Sequence, residues 1–207
     1  MRVNFDASDL SWIDELADND YVVIDDFLAL ALLGEVNRIF NRLIEQDELK
    51  KAGIGSIDYQ IVSEVRGDFI HWIDQKETHE LDFFFDQIKR ISEQLNRYCF
   101  LGIKSHEFHF ALYPKGSYYE KHLDQFQERN NRMISVVFYL NENWTDGNGG
   151  ELKIYKDSGN IIISPLSNRL VLFKSDIIEH EVLPTATSRK SITGWLLRKP
   201  PGLGFLS

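Results

Sequence analysis

Two amphipathic helical patterns followed by seven short β-type runs predict an α+β chain, mainly β: a double-stranded β-helix (jelly roll, cupin-like) with supporting N-terminal helices on one face. The runs HEFHFALY, RMISVVFYL, ELKIY, NIIIS, RLVLF, IIEHEVL and RKSITGWLL lie between residues 106 and 197 and are rich in β-branched and aromatic residues. Between them, NENWTDGNGG, KDSGN, SPLSN and LPTATS supply the Asn, Asp, Gly and Pro that tight turns need. With 207 residues, 43% of them hydrophobic, the chain can bury one sizeable core but not two independent ones. A single domain over 1–207 is expected, with 1–104 mainly helical support and 105–199 the β-barrel core.

Taken in order, a polar lead precedes YVVIDDFL at 21–28, which reads as a short strand. Residues 29–48 carry Leu32, Val36, Ile39 and Leu43 at three-to-four spacing, the mark of an amphipathic helix. KKAGIGSIDYQ at 50–60 has two glycines and a charged start, so a loop or mobile hairpin is expected there. A second helix is predicted over 78–100, its stripe of Leu81, Phe84, Phe85, Ile88, Ile91, Leu95 and Tyr98 suited to packing on a sheet. The tail KPPGLGFLS marks the end of regular structure.

Composition narrows the function classes. A net charge of −9 argues against a sequence-independent grip on nucleic acid phosphates, which needs clustered Lys and Arg. The single cysteine, Cys99, excludes an intrachain disulfide and a Cys-rich zinc module, and suits a reducing compartment. MRVNFDASDLSWIDELADND is acidic and has no basic n-region or apolar h-region, and no apolar run reaches about 18 residues. The expectation is a cytoplasmic protein with no membrane partner.

Within KHLDQF, His122 and Asp124 stand two apart in a segment that reads as extended, so both side chains project to one face and can reach one ion. By itself this pairing carries little weight, because His-x-Asp recurs by accident in an acidic chain. His180, in IIEHEVL on a later strand, supplies a third ligand. Two His and one carboxylate on a β framework form the facial triad suited to non-haem Fe(II), with three adjacent coordination positions left open. A carboxylate in the triad leaves no vacancy for halide, which argues against halogenation. His106 and His109, three apart, face opposite sides of their strand; His109 shares a face with Ala111 and Tyr113, which suits a pocket wall or, more readily, a packing role. His71 and His79 are assigned to surface or loop.

Arg189 opens the last strand, where Arg189, Ser191, Thr193 and Trp195 share one face. If 2-oxoglutarate chelates iron through its 2-oxo acid end, a buried guanidinium neutralises the distal carboxylate bidentately. Tyr139, alternating with Val137 and Ser135, is placed to donate its hydroxyl to the same group. Thr193 is counted with this pocket.

These residues carry a resemblance. VRGDFIHW at 65–72, ALYPKGSYYEKHLD at 111–124, RMISVVFYLNENW at 132–144 with GGELKIY after it, and HEVLPTATSRKSITGW at 180–195 resemble the Fe(II)- and 2-oxoglutarate-dependent prolyl hydroxylases of the hypoxia-factor type and their bacterial relatives. The resemblance covers roughly residues 60 to 198. It implies that His122, Asp124 and His180 bind iron, that Arg189 and Tyr139 hold the distal carboxylate of 2-oxoglutarate, and that Tyr113 lies near its chelating end. It also implies that Arg66, Asp68, Trp72, Arg132 and Trp195 are substrate-side or wall residues, below a loop at 50–65 that selects the substrate. Residues 50–60 match the animal enzymes poorly, although Gly53 and Gly55 are similar to those of bacterial members.

The function so implied is hydroxylation of a prolyl residue in a protein, using Fe(II), 2-oxoglutarate and O2, with ascorbate as a further cofactor candidate and a translation elongation factor as a candidate partner. Three readings compete with it. A nucleic acid demethylase would use the same triad but needs a basic groove, and Arg198 lies too near the end of the sequence to serve it. A small-molecule hydroxylase shares all of the metal chemistry. A non-catalytic metal-binding barrel leaves Arg189 and Tyr139 without a purpose.

Overall fold

The computed structural model describes residues 2–4, 9–52, 66–125 and 131–198. Two helices and two strands in front of the main body set the frame: β1 (Arg2–Asn4), α1 (Ser11–Asn19), β2 (Tyr21–Asp25) and α2 (Leu30–Glu45). Then come β3 (Lys50–Lys51), β4 (Phe69–Trp72), a 3-10 turn (His79–Leu81) and α3 (Asp82–Cys99). The remaining strands are β5 (Ser105–Tyr113), β6 (Tyr119–His122), β7 (Arg132–Tyr139), β8 (Leu152–Tyr155), β9 (Ile161–Ile163), β10 (Leu170–Lys174), β11 (Glu179–Val182) and β12 (Arg189–Leu197).

From β5 onward the chain passes back and forth between two sheets, which gives the jelly roll its form. The larger sheet has the order β1-β2-β10-β7-β12-β5-β4-β3, and the smaller β6-β11-β8-β9. All pairings but β1 with β2 are antiparallel. Strands from the first 72 residues extend the large sheet on both edges, so this part of the chain supplies more than helical support.

The period-2 alternation of the long strands divides their side chains between two compartments. Phe108, Phe110, Ile134, Val136, Phe138, Leu170, Leu172, Ile192 and Leu196 pack with α1, α2 and α3 in one apolar cluster. Fully burying each such side chain contributes about 1.5–3 kcal/mol. The opposite parity faces the small sheet: Val137, Tyr139, Val171 and Phe173 meet Leu152, Ile154 and Ile163. Polar residues of that same parity, His109, Ser135, Arg189 and Ser191, are buried toward one end of the space between the sheets.

The early segment is tied down by directed bonds as well as by packing. Arg169 is fully buried and binds Asp25 through Nε and Nη2 at 2.6 and 3.0 Å. Asn168, in the left-handed region at φ 64°, donates to Leu28 O and accepts from Leu28 N.

Helix α1 lies inside the stretch that reads as a polar lead, because its buried face is only Trp12, Ile13 and Leu16. The strand in KHLDQF ends at His122, and Asp124 sits in the bend that follows. The glycine-bearing segment at 53–65 and the tail from 199 lie outside the described residues.

At Gly194 a β-carbon would collide with the Glu107 carbonyl oxygen and the Phe108 ring. This strand pairs with β5 and β7 on its two sides, so neither neighbour can give way. Gly194→Val is expected to lower unfolding stability by about 3 kcal/mol or to prevent folding, and Gly194→Ala by about 1–3 kcal/mol. Urea denaturation checks both.

Candidate metal centre and co-substrate pocket

Pairing of β6 with β11 sets His122 directly opposite His180. Their ring centroids are 4.3 Å apart. Each ring is oriented by its own backbone: His122 Nδ1 lies 2.6 Å from Glu120 O, and His180 Nδ1 lies 3.1 Å from Ile178 O. A carbonyl can only accept, so Nδ1 carries the proton in both rings and Nε2 presents a lone pair. His180 also packs edge-on against Phe173, with centroids 4.6 Å apart. Burial depresses His180 to about 4, although the Asp124 charge pulls the other way, so the ring is neutral.

The carboxylate reaches this pair from the bend after β6. Asp124 Oδ1 lies 3.5 Å from His122 Nε2, and Oδ2 lies 3.7 Å from His180 Nε2. From the large sheet, Ser135 Oγ donates to Oδ2 at 2.6 Å and lies 2.8 Å from the buried Ser175 hydroxyl. Burial opposes ionisation of Asp124, but the two imidazoles and the Ser135 hydroxyl outweigh it and hold the carboxyl well below its usual range. Below the carboxylate, Arg132 Nη1 donates to the Asp124 backbone carbonyl at 3.2 Å.

The donor set fits a divalent ion. Three ligand atoms, one from each residue, lie within 4.8 Å of one another. Ligands at about 2.1 Å from an ion and at right angles subtend roughly 3 Å, so small rotamer adjustments close the site. Two imidazoles that each turn Nε2 inward and one ionised carboxylate match the facial triad.

Arg189 is 97% buried, a cost that demands a partner. Its Nε donates to Gly150 O at 2.8 Å, and the guanidinium lies 4.8 Å from the Tyr113 ring centroid and 4.9 Å from that of Tyr139. Gly150 has φ 75°, and a β-carbon there would stand 3.0 Å from Arg189 Cδ, so glycine gives the arginine its seat. No carboxylate among the described residues pairs with Arg189. The Tyr139 hydroxyl beside it is buried without a hydrogen bond of good geometry, and burial raises its pKa against the pull of the Arg189 guanidinium, its close polar neighbour. A buried cation beside an unsatisfied hydroxyl fits the distal carboxylate of 2-oxoglutarate. Burial likewise raises Tyr113.

The other sequence candidates fall into two groups. Trp72, His109 and Trp195 form an aromatic slot: His109 lies 4.8 Å from the Trp72 ring and 5.7 Å from that of Trp195. Arg132 lies over Trp195 at 3.4 Å and binds Glu107 through Nε and Nη2 at 3.1 and 2.8 Å. Arg66 and Asp68 are spent on each other in a two-pronged pair at 2.7 and 2.6 Å. Thr193, half-buried, lies 3.1 Å from the Ser191 hydroxyl.

Sequence reasoning missed Ser135 as the donor to Asp124 and Tyr119 as the ring stacked on His122 at 3.7 Å. Of the two readings for His109, the wall of a pocket fits better than packing, since its ring lies in the slot with Nδ1 left without a partner. His106, of opposite parity, stacks on Phe85 of α3. Only the alternation on β5 and β7 pointed inward to His109 and Ser135, and nothing in the sequence joined Tyr119 to its partners.

Known proteins resemble this chain in sequence and in fold. Residues 108–197 match the 2OG-Fe(II) oxygenase superfamily. A prolyl-4-hydroxylase of Pseudomonas putida is 34% identical, covering 91% of this chain and 98% of its own, with a TM-score of 0.84. The Trichoplax adhaerens prolyl hydroxylase, solved with a peptide of the hypoxia inducible factor oxygen degradation domain, is 26% identical over 90% of this chain and 87% of its own, with a TM-score of 0.82. The hypoxia-inducible factor prolyl hydroxylase of Caenorhabditis elegans is 29% identical over 90% of this chain, which spans only 28% of that relative's length. The chain belongs to the 2OG-Fe(II) oxygenase superfamily, whose members use Fe(II), 2-oxoglutarate and O2.

Burial drives His109 down to about 3, helped by the Arg66 and Arg132 charges, as it drives His180 to about 4. An unfolded histidine titrates near 6.5, so below that pH the unfolded chain binds protons that the folded chain refuses. Stability of the metal-free protein is therefore complete above about pH 6.5 and falls, by on the order of a few kcal/mol, as pH drops toward 4. His109→Leu is expected to flatten that fall, measured by urea midpoints across the range.

Proposed function

We propose that the chain catalyses the 2-oxoglutarate- and O2-dependent hydroxylation of a prolyl residue in a protein, giving hydroxyproline, succinate and CO2. The observation that carries this reading is a His122–Asp124–His180 donor set on the small-sheet side of the fold together with Arg189 and the unsatisfied Tyr139 hydroxyl on the large-sheet face that looks toward it. Likeness to the Pseudomonas putida prolyl-4-hydroxylase over nearly the whole of both chains supports the choice of proline.

In this reading His122, Asp124 and His180 are the iron ligands. Fe(II) held there supplies O2 activation, coupled to oxidative decarboxylation of 2-oxoglutarate, and so the oxidising power to hydroxylate a C–H bond. Neutral His122 and His180 and ionised Asp124 give the ligand set one negative charge, leaving +1 with a divalent ion. Arg189 adds another, so the pocket balances the two carboxylates of the co-substrate. Arg189 and Tyr139 fix the distal carboxylate, Tyr113 borders the chelating end, and Thr193 lines the floor. The Trp72–His109–Trp195 slot, with Arg132 across it, forms an apolar wall against which a proline ring can pack while water is kept out.

The protein substrate is further specified only as a proposal: a translation elongation factor, the candidate that the family resemblance implies, is the first to test. Ascorbate as an added reductant and a cytoplasmic location complete it. Net charge −9 weighs against a nucleic acid substrate.

Mass spectrometry of a lysate treated with enzyme, Fe(II) and 2-oxoglutarate under air is expected to show one oxygen added at a proline. Modification found only on nucleobases or a free amino acid contradicts the protein-prolyl reading. His122→Ala and Asp124→Ala are expected to abolish substrate-coupled succinate formation while keeping the fold; native rates in Asp124→Ala overturn the ligand assignment. Arg189→Ala removes a buried charged partner worth about 1.5–3 kcal/mol and is expected to raise the KM for 2-oxoglutarate by about a hundredfold. Steady-state kinetics checks it.

A further inference from the structure

The geometry points to Arg66, Gly67 and Tyr119 as positioning residues that hold His122 in its metal-binding orientation, a role that rests on the metal-site reading above. The two histidines are not equally supported. His180 sits on an inner strand of the small sheet against Phe173, with β6 on one side and β8 on the other. His122 ends β6, a four-residue edge strand whose register on β11 shifts between His180 and Val182. An edge strand this short fixes its last side chain poorly.

The Arg66-Gly67-Asp68 segment covers that open edge. Arg66 forms an isolated antiparallel bridge with Tyr119. Gly67 N donates to Tyr118 O at 3.0 Å, and Ser117 Oγ donates to Gly67 O at 3.0 Å. Approach is so close that a β-carbon on Gly67 would lie 3.0 Å from Ser117 Cβ. The segment then runs into β4 of the large sheet, so it ties the two sheets together beside the metal ligands.

Three flat groups stack on this strap. The Arg66 guanidinium lies 4.6 Å from the Tyr119 ring centroid, and the Tyr119 ring lies 3.7 Å from that of His122, the two planes within 21°. Asp68, 99% buried, grips Arg66 with both carboxylate oxygens and fixes the outer layer. Its backbone carbonyl is held in turn by Ala52 N at 2.9 Å. Free rotation of the His122 ring about its last bond would break the face-to-face contact with Tyr119. The Nδ1 bond to Glu120 O and the stacked ring thus restrict the same torsion from two sides. Arg66 and Asp68, expected on the substrate side, are committed here to the metal ligand.

Titration of the metal-free protein with Mn(II), together with the visible spectrum of the Co(II)-loaded protein, tests this. Tyr119→Leu is expected to weaken Mn(II) binding by about tenfold or more and to alter the Co(II) bands, and Tyr119→Phe to stay within about twofold of wild type. Gly67→Val, which pushes the strap off β6 without touching the stack, is expected to weaken Mn(II) binding about fivefold or more, and stands in if Tyr119→Leu does not fold. Native Mn(II) affinity and an unchanged Co(II) spectrum in folded Tyr119→Leu or Gly67→Val overturn the positioning role alone. A wild-type protein that binds no Mn(II) overturns the metal site itself.

Discussion

The register between β6 and β11 is the constraint from which the site follows. It places His122 opposite His180 on the face of the small sheet that looks into the fold. A slip of one residue would turn one imidazole outward and leave no chelate. Backbone carbonyls two residues upstream then choose the tautomer in both rings. Asp124 completes the set only because the chain leaves the strand at once, and its oxygen is gripped by Ser135 from the other sheet. One carboxylate therefore fastens the two sheets together at the point where the chemistry is expected.

An interior this polar costs stability that other parts of the molecule must offset. Arg189, Asp124, Asp68, His109 and His180 are all buried. The compensation is spatial: one face of the large sheet is given mainly to the helix-covered apolar cluster, and on the other face apolar residues meet the small sheet beside the polar ones. Charged groups there are paired or bonded, as in Arg66 with Asp68. The Tyr139 hydroxyl, like His109 Nδ1 and Trp195 Nε1, is buried without a partner, and it stands where a bound carboxylate would satisfy it. The pocket is thus organised before its ligand arrives, which lowers the cost of ordering it on binding.

Much of this was legible in the sequence because it obeys short periods. All seven predicted β runs contain a strand, and both predicted helices are present, since alternation and three-to-four spacing report burial directly. The same alternation put Arg189, Ser191, Thr193 and Trp195 on one face. Short elements with little burial stayed hidden or half-seen: α1 shows three apolar residues to the core, β4 is four residues long, and of the four in β6 only the His122 end read as extended. Contacts between remote segments left no local trace at all. Nothing in YYEKH says that an arginine more than fifty residues earlier will lie on its tyrosine, and nothing in RMISVV says that Ser135 will meet Asp124. The residues that bear charge or lone pairs could be named from residue type and spacing, while those that aim them could not.

One ion and 2-oxoglutarate, bound between the same two sheets and in contact with each other, would bind reciprocally. Anaerobic titration of metal-free protein with Mn(II), with and without 2-oxoglutarate, measures this directly. One ion per chain is predicted, bound more tightly in the presence of 2-oxoglutarate, with that gain largely lost in Arg189→Ala and all binding lost in Asp124→Ala. An affinity that is indifferent to 2-oxoglutarate, or a site that survives loss of Asp124, would contradict it.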